Sequence, residues 1–142
     1  MATTTIFYNS YKKDVLDSTI DFINDTIKVA LTTSSYSPDI DSDSFWGDVT
    51  NEVADTGYTA GGETLAGKTN TQDNTDDEGV FDANDVTWSS SSITARYAVI
   101  YKDTGTPSTS PLVCYIDLGG DKSSASGDFT LSWNAEGIIN VN

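Results

Sequence analysis

The chain lacks histidine and has a single cysteine, and each scarcity excludes a class of chemistry. Without histidine there is no Ser-His-Asp or Cys-His nucleophile, no histidine-ligated zinc and no histidine pH switch. Cys114 has no partner for an intramolecular disulfide, and its strand-like setting, PLVCYIDL, favours a small buried residue over a reactive thiol. The glycine-bearing stretches GGET and LGGDKSSASG lack Walker or dinucleotide spacing. We therefore expect neither an enzyme nor a cofactor.

Basic side chains are also scarce, at 7 Lys and Arg against 22 Asp and Glu, for a net charge of −15. Such a surface repels phosphate, so nucleic acid is not expected as a partner, and a basic protein surface is favoured. No apolar run approaches the roughly 20 residues that span a bilayer. The lysines of MATTTIFYNSYKK follow the short apolar patch, which is the wrong order for a secretory signal peptide. No membrane partner is expected.

What the chain does have is alternation of apolar and polar residues. In TIKVALTT, Ile27, Val29 and Leu31 alternate with polar or small residues, which is typical of a half-buried strand. Turn residues separate further strand-like segments in the second half. The pattern predicts a mainly β fold with residues 1–142 in one domain, an antiparallel β-sandwich or barrel that is jelly-roll-like. The further segments are VFD, DVTW, SITARYAVIYK, PLVCYIDL, GDFTLSW and GIINVN.

Two elements stand out within this pattern. SITARYAVIYK is apolar on both faces, with Ala95 and Val99 on one and Ile100 on the other, which predicts a central strand covered on both sides. One short helix is expected near residues 10–19, capped by Asn9 or Ser10. The expected core consists of Ile27, Val29, Leu31, Val86, Trp88, Tyr97, Val99, Leu112, Ile116, Phe129, Leu131 and Trp133.

Residues 1–8 are expected to form an extended N-terminal arm. The segment is too polar for a core strand and too β-prone for an inert tail. One hypothesis is that it contacts a capsid by adding main-chain hydrogen bonds to a strand edge there. The alternative is that it pairs with its own sheet or lies against a neighbouring subunit. The residues assigned to this contact are Thr3, Thr4, Thr5, Ile6 and Phe7.

The acidic stretch NTDDEGVFDAND (74–85) has the length and oxygen content of a calcium loop. A calcium hand begins with Asp, ends with Glu and lies between two helices. Here the first position is Asn74, the last is Asp85, and the flanks are a Thr-rich loop and a strand. The stretch is better explained as a hairpin, with turns at DDEG and AND, so no metal is expected. The weaker alternative is a cation held by Asp76, Glu78, Asp82 and Asp85.

Arg96 is the only arginine, and it lies in the most apolar segment. Its guanidinium is expected to pair with a carboxylate in bidentate geometry. The partner is either a residue of a neighbouring subunit, which makes Arg96 an intersubunit ion pair, or one of the many acids of its own chain.

Aromatic residues punctuate the Ser-, Thr-, Asp- and Gly-rich region 34–79. They are Tyr36, Phe45, Trp46 and Tyr58. Aromatics at this density either pin a loop onto a sheet face or line a contact surface.

Three segments together resemble a family of small structural virion proteins of tailed bacteriophages, cyanophages among them, and within it the capsid decoration (cement) proteins. The segments are DTIKVALTTSSYSPD (25–39), VFDANDVTWSSSSITARYAVIYKDTG (80–105) and FTLSWNAEGII (129–139). The resemblance implies a β-rich homo-oligomer, most simply a trimer, made in the host bacterial cytoplasm. It implies that the protein binds the major capsid protein on the capsid exterior and stabilises the head. It supplies no site residues. The alternative is a tail or fibre component that recognises a host glycan through Tyr36, Trp46 or Tyr58.

Overall fold

The computed structural model describes residues 3–142, in which ten strands and one α-helix form. Strands take 43% of the chain and helix 10%, which confirms the mainly β prediction. The elements in chain order are β1 (Thr4–Phe7), α1 (Asn9–Leu16), β2 (Ile27–Thr32), β3 (Glu63–Thr64), β4 (Thr69–Asp73), β5 (Glu78–Asp82), β6 (Val86–Ser91), β7 (Thr94–Lys102), β8 (Leu112–Ser123), β9 (Gly127–Leu131) and β10 (Ile139–Val141), with single 3₁₀ turns at Trp46–Asp48 and Pro107–Thr109.

The strands form three antiparallel sheets. The largest has the order β1-β8-β7-β2-β3, and the smaller ones have the orders β10-β5-β4 and β6-β9. The largest sheet ends in β1 and β3 and is therefore an open sheet, not a closed barrel. The two smaller sheets share one hydrophobic core with it, so the fold is sandwich-like. As predicted, β7 is central and covered on both faces.

The inner face of the large sheet packs against the two smaller sheets. Val29 of β2 lies opposite Ile100 of β7, and both side chains are fully buried in the shared core. Phe81 of the three-stranded sheet and Trp88 of the two-stranded sheet are buried in the same core. Because full burial of an aliphatic side chain is worth about 1.5–3 kcal/mol, this layer supplies much of the stability.

The outer face of the same sheet packs aromatic residues under the loop 33–53. Trp46 of this loop stacks on Tyr101 of β7 with ring centroids 4.6 Å apart. The hydroxyls of Tyr8 and Tyr36 lie 2.8 Å apart and are hydrogen-bonded. These aromatics pin the loop to the sheet, which confirms the first of the two roles expected for this region.

The expected core is confirmed except at Tyr97 and Trp133, which are only partly buried. Tyr97 belongs to the outer face, where its ring packs edge-on against Tyr115. Trp133 follows the end of β9 and packs against the core from its margin.

The expected alternation along β7 fails at one point. Ala95 was expected on the face of Val99, but it is buried in the inner core with Ala98 and Ile100. The pairing of β7 with β8 shifts between Ala95 and Tyr97, as in a β-bulge. An extra residue in one strand reverses which face the following side chains occupy, so strict period-two counting is wrong beyond it.

The helix α1 is shorter than the expected 10–19 and begins without the expected side-chain cap. Tyr8 is the N-cap residue, so the prediction of a cap at Asn9 or Ser10 is wrong. The main-chain N–H of Asn9 is instead satisfied by the carbonyl of Ile40 at 3.0 Å. The helix stops at Leu16 because Ser18 takes a left-handed conformation with φ 62°.

Candidate functional site

Residues 74–82 of the acidic stretch form the turn and the second strand of the β4–β5 hairpin, which confirms the interpretation as a hairpin. The turn lies at residues 74–77 and not at DDEG, because Glu78 and Gly79 already pair with β4. Asp73 pairs with Glu78 next to the turn, and Thr69 pairs with Asp82 at the far end. Asp73 closes the turn, since its Oδ1 accepts hydrogen bonds from the N–H of Thr75 at 2.8 Å and of Asp76 at 3.3 Å. Local hydrogen bonding of this kind is the usual role of aspartate in a turn.

The four carboxylates of the alternative cation site do not converge on one point, so this alternative ligand set is wrong. Asp76 and Glu78 are neighbours, and the third carboxylate beside them is Asp73. The ligand oxygens of these three residues lie within 4.8 Å of one another. Asp82 is at the opposite end of β5, roughly 13 Å from Glu78 at the usual strand rise. Asp85 accepts a hydrogen bond from the N–H of Trp133 at 3.0 Å. Sequence reasoning missed Asp73, although the register of a hairpin predicts a neighbour for Glu78 on the opposite strand.

Arg96 pairs with Asp117 of its own chain. Its Nε donates to Oδ1 at 2.9 Å and a terminal nitrogen donates to Oδ2 at 3.1 Å, which is the expected bidentate geometry. The guanidinium carbon also lies 5.3 Å from the centre of the Tyr97 ring. The hydrogen bonds from Arg96 hold the pKa of Asp117 below its usual range. Of the two expected partners, the local one is present, and an intersubunit contact of Arg96 stays a prediction.

The N-terminal segment forms β1 and is not a free arm. It pairs antiparallel with β8, from Thr4 opposite Asp117 to Phe7 opposite Cys114. This is the alternative in which the segment joins its own sheet, and its contact with a capsid stays a prediction. Residues 1 and 2 of the expected arm lie outside the described residues.

The outer edge of β1 offers main-chain groups for a further strand. The N–H of Tyr8 donates to the carbonyl of Val113 at 3.2 Å, which extends the β1–β8 ladder by one pair. Because hydrogen-bonded and non-bonded pairs alternate in an antiparallel ladder, the N–H and C=O groups of Thr5 and Phe7 point away from β8. Within Thr4–Phe7 there is no proline, charged residue or bulge of the kind that blocks strand addition.

A groove of about 630 Å³ lies beside this edge, between β1 and the segment 131–140. Thr3, Thr5 and Phe7 line it from one side. Its floor is apolar, and it includes Ile116 and Leu118 of β8, which are buried. Concave apolar surfaces with a few polar groups are the usual form of binding sites in proteins.

The opposite wall of the groove is held in place by specific contacts. The indole Nε1 of Trp133 donates to the carbonyl of Asn84 at 2.8 Å. Residues 134–137 form a turn, in which the N–H of Gly137 donates to the carbonyl of Asn134 at 2.9 Å. Gly137 has φ +97°, and a Cβ there would meet Val80 Cγ1 at 2.4 Å, so glycine is required.

This turn places Glu136 at the rim of the groove. Among the described residues that line the groove, Glu136 is the only one with an ionisable side chain. It is exposed, and the side-chain amide of Asn140 holds its main-chain carbonyl at 3.0 Å. Sequence reasoning missed this wall because NAEG looks like an ordinary turn, and nothing local indicates that it faces β1.

The aromatics named for glycan recognition are engaged inside the protein. Tyr36 is 3% exposed, and its hydroxyl donates to Asp43 Oδ2 at 2.8 Å. The hydroxyl of Tyr58 donates to Glu52 Oε1 at 2.7 Å and accepts the N–H of Leu31 at 3.0 Å. The three residues therefore do not form a shared exposed platform, and a role in glycan recognition stays a prediction.

Cys114 is fully buried in β8, as expected for a small apolar residue. Burial raises the pKa of its thiol to about 12. The thiolate, which is the reactive form, is therefore strongly disfavoured in the folded protein.

Within residues 3–142, no helix has the length and apolar character needed to cross a membrane. Comparison of the chain with protein-family models, with curated proteins and with solved structures finds no match in any of the three.

Proposed function

We propose that this chain is a structural virion protein of a tailed bacteriophage, which binds the exterior of the major capsid shell as a homotrimer and stabilises the head. The observation that carries the proposal is the ordered resemblance of the segments 25–39, 80–105 and 129–139 to decoration proteins. These segments contain the adjacent central strands β2 and β7 and the strand β6 with part of its partner β9. The resemblance thus concerns the framework of the sandwich and not one isolated loop.

The geometry at β1 supports a role in assembly. A cement protein has to hold segments of neighbouring capsid subunits, and an open strand edge beside an apolar groove suits the binding of a chain segment. Of the groove-lining residues between positions 3 and 142, one has an ionisable side chain, Glu136, and the net charge of the chain is −15. Such a charge keeps the free protein soluble and directs it toward basic surfaces.

Copy number in purified virions tests the proposal. Quantitative mass spectrometry is expected to give a copy number per particle of the same order as that of the major capsid protein. Cryo-electron microscopy of the same particles is expected to show the sandwich on the outside of the shell. A few copies per particle, with density on the tail, would show that the tail or fibre alternative is correct.

The oligomeric state is tested on the purified chain. The large sheet and both small sheets have open edges, and closed cyclic symmetry is the common way to cover such edges. Light scattering is expected to give three times the chain mass of 15.2 kDa. A mass of one chain at working concentration contradicts a preformed trimer.

A further inference from the structure

We propose that the outer edge of β1 and the adjacent groove receive an extended segment of a partner protein that carries a lysine or arginine. The segment adds as a strand beside β1, seats apolar side chains in the groove and places its basic group against Glu136. This inference deepens the proposed function and rests on it only for the identity of the partner, the major capsid protein.

The outer edge of β1 has the main-chain geometry for strand addition. The outward N–H and C=O groups of Thr5 and Phe7 repeat every second residue, which is the spacing that an added strand requires. The edges of β4 and β3 are less suitable for this role. The β4 edge consists of exposed polar residues and ends at the acidic turn with Asp73 and Asp76, and β3 spans only Glu63–Thr64.

The side chains of an added strand would share the groove with side chains of β1. Thr3, Thr5 and Phe7 line the groove from β1, so alternate side chains of a neighbouring strand lie over the same groove. The floor of this groove contains buried apolar residues, among them Leu118 and Leu131. The partner segment is therefore expected to have an apolar or β-branched residue at every second position.

The charge at the rim of the groove favours a basic partner. Glu136 is exposed at the rim, and its carboxylate has no ion-pair partner among the described residues. A second copy of this chain would bring a net charge of −15 to a surface that is itself acidic, and Thr4–Phe7 has no basic residue to offer. Charge complementarity therefore favours a basic partner segment over a second copy.

The test uses a random decapeptide library displayed on its own messenger RNA and selected against the purified full chain. Enriched peptides are expected to alternate apolar or β-branched residues with polar ones and to contain Lys or Arg. Their affinities are measured by fluorescence anisotropy of labelled synthetic peptides. Failure to enrich any sequence, or enrichment of acidic peptides, overturns the proposal.

The strand edge is tested by Thr5→Pro. Proline removes the outward N–H of residue 5 and leaves the ladder to β8 intact, because proline is tolerated where an edge N–H faces solvent. Loss of one main-chain hydrogen bond is expected to weaken peptide binding about tenfold. Thr5→Val, which keeps the N–H and the β-branch, is the matched reference, and Thr5→Pro is expected to bind about tenfold more weakly than Thr5→Val. Equal binding by Thr5→Pro and Thr5→Val overturns the strand addition.

A second measurement does not depend on the folding of the proline variant. The selected peptide is synthesised with N-methyl groups on alternate amides and offered to the wild-type chain. One of the two alternate patterns removes the N–H groups that face β1 and is expected to abolish binding, while the other is expected to retain it. Equal binding of both N-methylated forms means that no added strand is formed.

The contact between Glu136 and the basic residue of the peptide is tested by Glu136→Gln, with Asp128→Asn as the control. Asp128 is an exposed carboxylate on β9 and does not line the groove. Glu136→Gln is expected to weaken binding several-fold at low salt and to remove most of its salt dependence. Equal effects of the two substitutions would assign the attraction to overall charge and contradict a specific contact.

Self-association is the competing occupant. If Thr5→Pro reduces the oligomer to single chains in light scattering, a second copy occupies the β1 edge and the proposal is wrong. An oligomer that persists in Thr5→Pro supports it. The copy-number experiment on virions is independent of these measurements, so either proposal can fail while the other stands.

Discussion

The two faces of the large sheet are stabilised by different chemistry. The inner face is dominated by aliphatic side chains such as Val29 and Ile100, which have no polar atoms. The outer face uses tyrosines whose hydroxyls are hydrogen-bonded, as in Tyr8 to Tyr36 at 2.8 Å and Tyr101 to the carbonyl of Gly61 at 2.6 Å. Aliphatic packing of this kind depends on volume and not on pH, whereas the outer face also needs its hydroxyls to keep their protons.

The buried tyrosines of the outer face have raised pKa values. Burial, followed by the hydrogen bond with Tyr36, raises the pKa of Tyr8 well above its ordinary value near 10. Burial likewise raises the pKa values of Tyr36 and Tyr101. The outer face therefore responds to alkaline conditions through its tyrosine hydroxyls, and the inner core has two further groups whose pKa values burial raises, Tyr11 and Cys114.

The largest difference between the faces is expected from truncation. Ile100→Ala leaves a cavity in the inner core and is expected to cost about 2–5 kcal/mol of unfolding free energy. Tyr101→Phe removes one hydroxyl from the outer face and is expected to cost about 0.5–1.5 kcal/mol. Urea unfolding of both variants checks this order. Equal losses would show that the two faces are not distinct.

Alkaline pH is expected to act through the outer face. Because the folded-state pKa of Tyr8 is raised, its contribution is complete below the unfolded value near 10 and is lost as pH rises toward the folded value. Tyr8→Phe is expected to cost about 1 kcal/mol at neutral pH and to make the alkaline decline shallower. Urea unfolding at pH 7 and about pH 11 measures both effects. Parallel pH profiles of variant and wild type would refute this assignment.

The ion pair beside Tyr97 is expected to contribute less. Arg96→Gln leaves Asp117 without its bidentate partner and is expected to lower stability slightly at neutral pH, and Arg96→Lys by a smaller amount. Because the pKa of Asp117 is lowered in the folded state, this contribution is present above its unfolded value near 3.9 and is lost as pH falls through the folded value. The deficit of Arg96→Gln should therefore shrink in acid. A constant deficit between neutral pH and about pH 2 would contradict it.

The acidic hairpin is expected to contribute nothing through a cation. Asp73, Asp76 and Glu78 lie outside the buried core, and local hydrogen bonds already close their turn, so adding a chelator should leave the thermal midpoint unchanged. A bound ion stabilises the folded state by mass action, and its removal lowers the midpoint. A fall of several degrees on chelation, reversed by Ca²⁺ and absent in Asp76→Asn, would establish a site at Asp73, Asp76 and Glu78.

The sequence predicts the inner face better than the outer one. Alternation in β2 identifies Ile27, Val29 and Leu31 because each is apolar in a strand with polar neighbours. The outer face depends on loop 33–53 folding over the sheet, and the contact of Trp46 with Tyr101 joins residues far apart in sequence. The density of aromatics indicates that the loop is pinned, but it does not identify the partner of each ring.

The groove could not be predicted, for two physical reasons. Its walls come from β1 and from residues 131–140, which are distant in sequence and meet only through β8 and the three-stranded sheet. In addition, Thr4–Phe7 has strand propensity without a strong apolar pattern, so its partner is not determined locally. The bulge near Ala95 is another nonlocal feature, since it depends on how β8 pairs with β7.

The pairing of β1 with β8 has a consequence for the order of events during synthesis. β1 leaves the ribosome more than 100 residues before the strand with which it pairs, at Cys114 to Asp117. Closing so long a loop is entropically costly and slow compared with forming the β4–β5 hairpin. The edge for strand addition is therefore completed only after nearly the whole sandwich has been made. Chains that stop before β8 consequently lack the paired β1 edge.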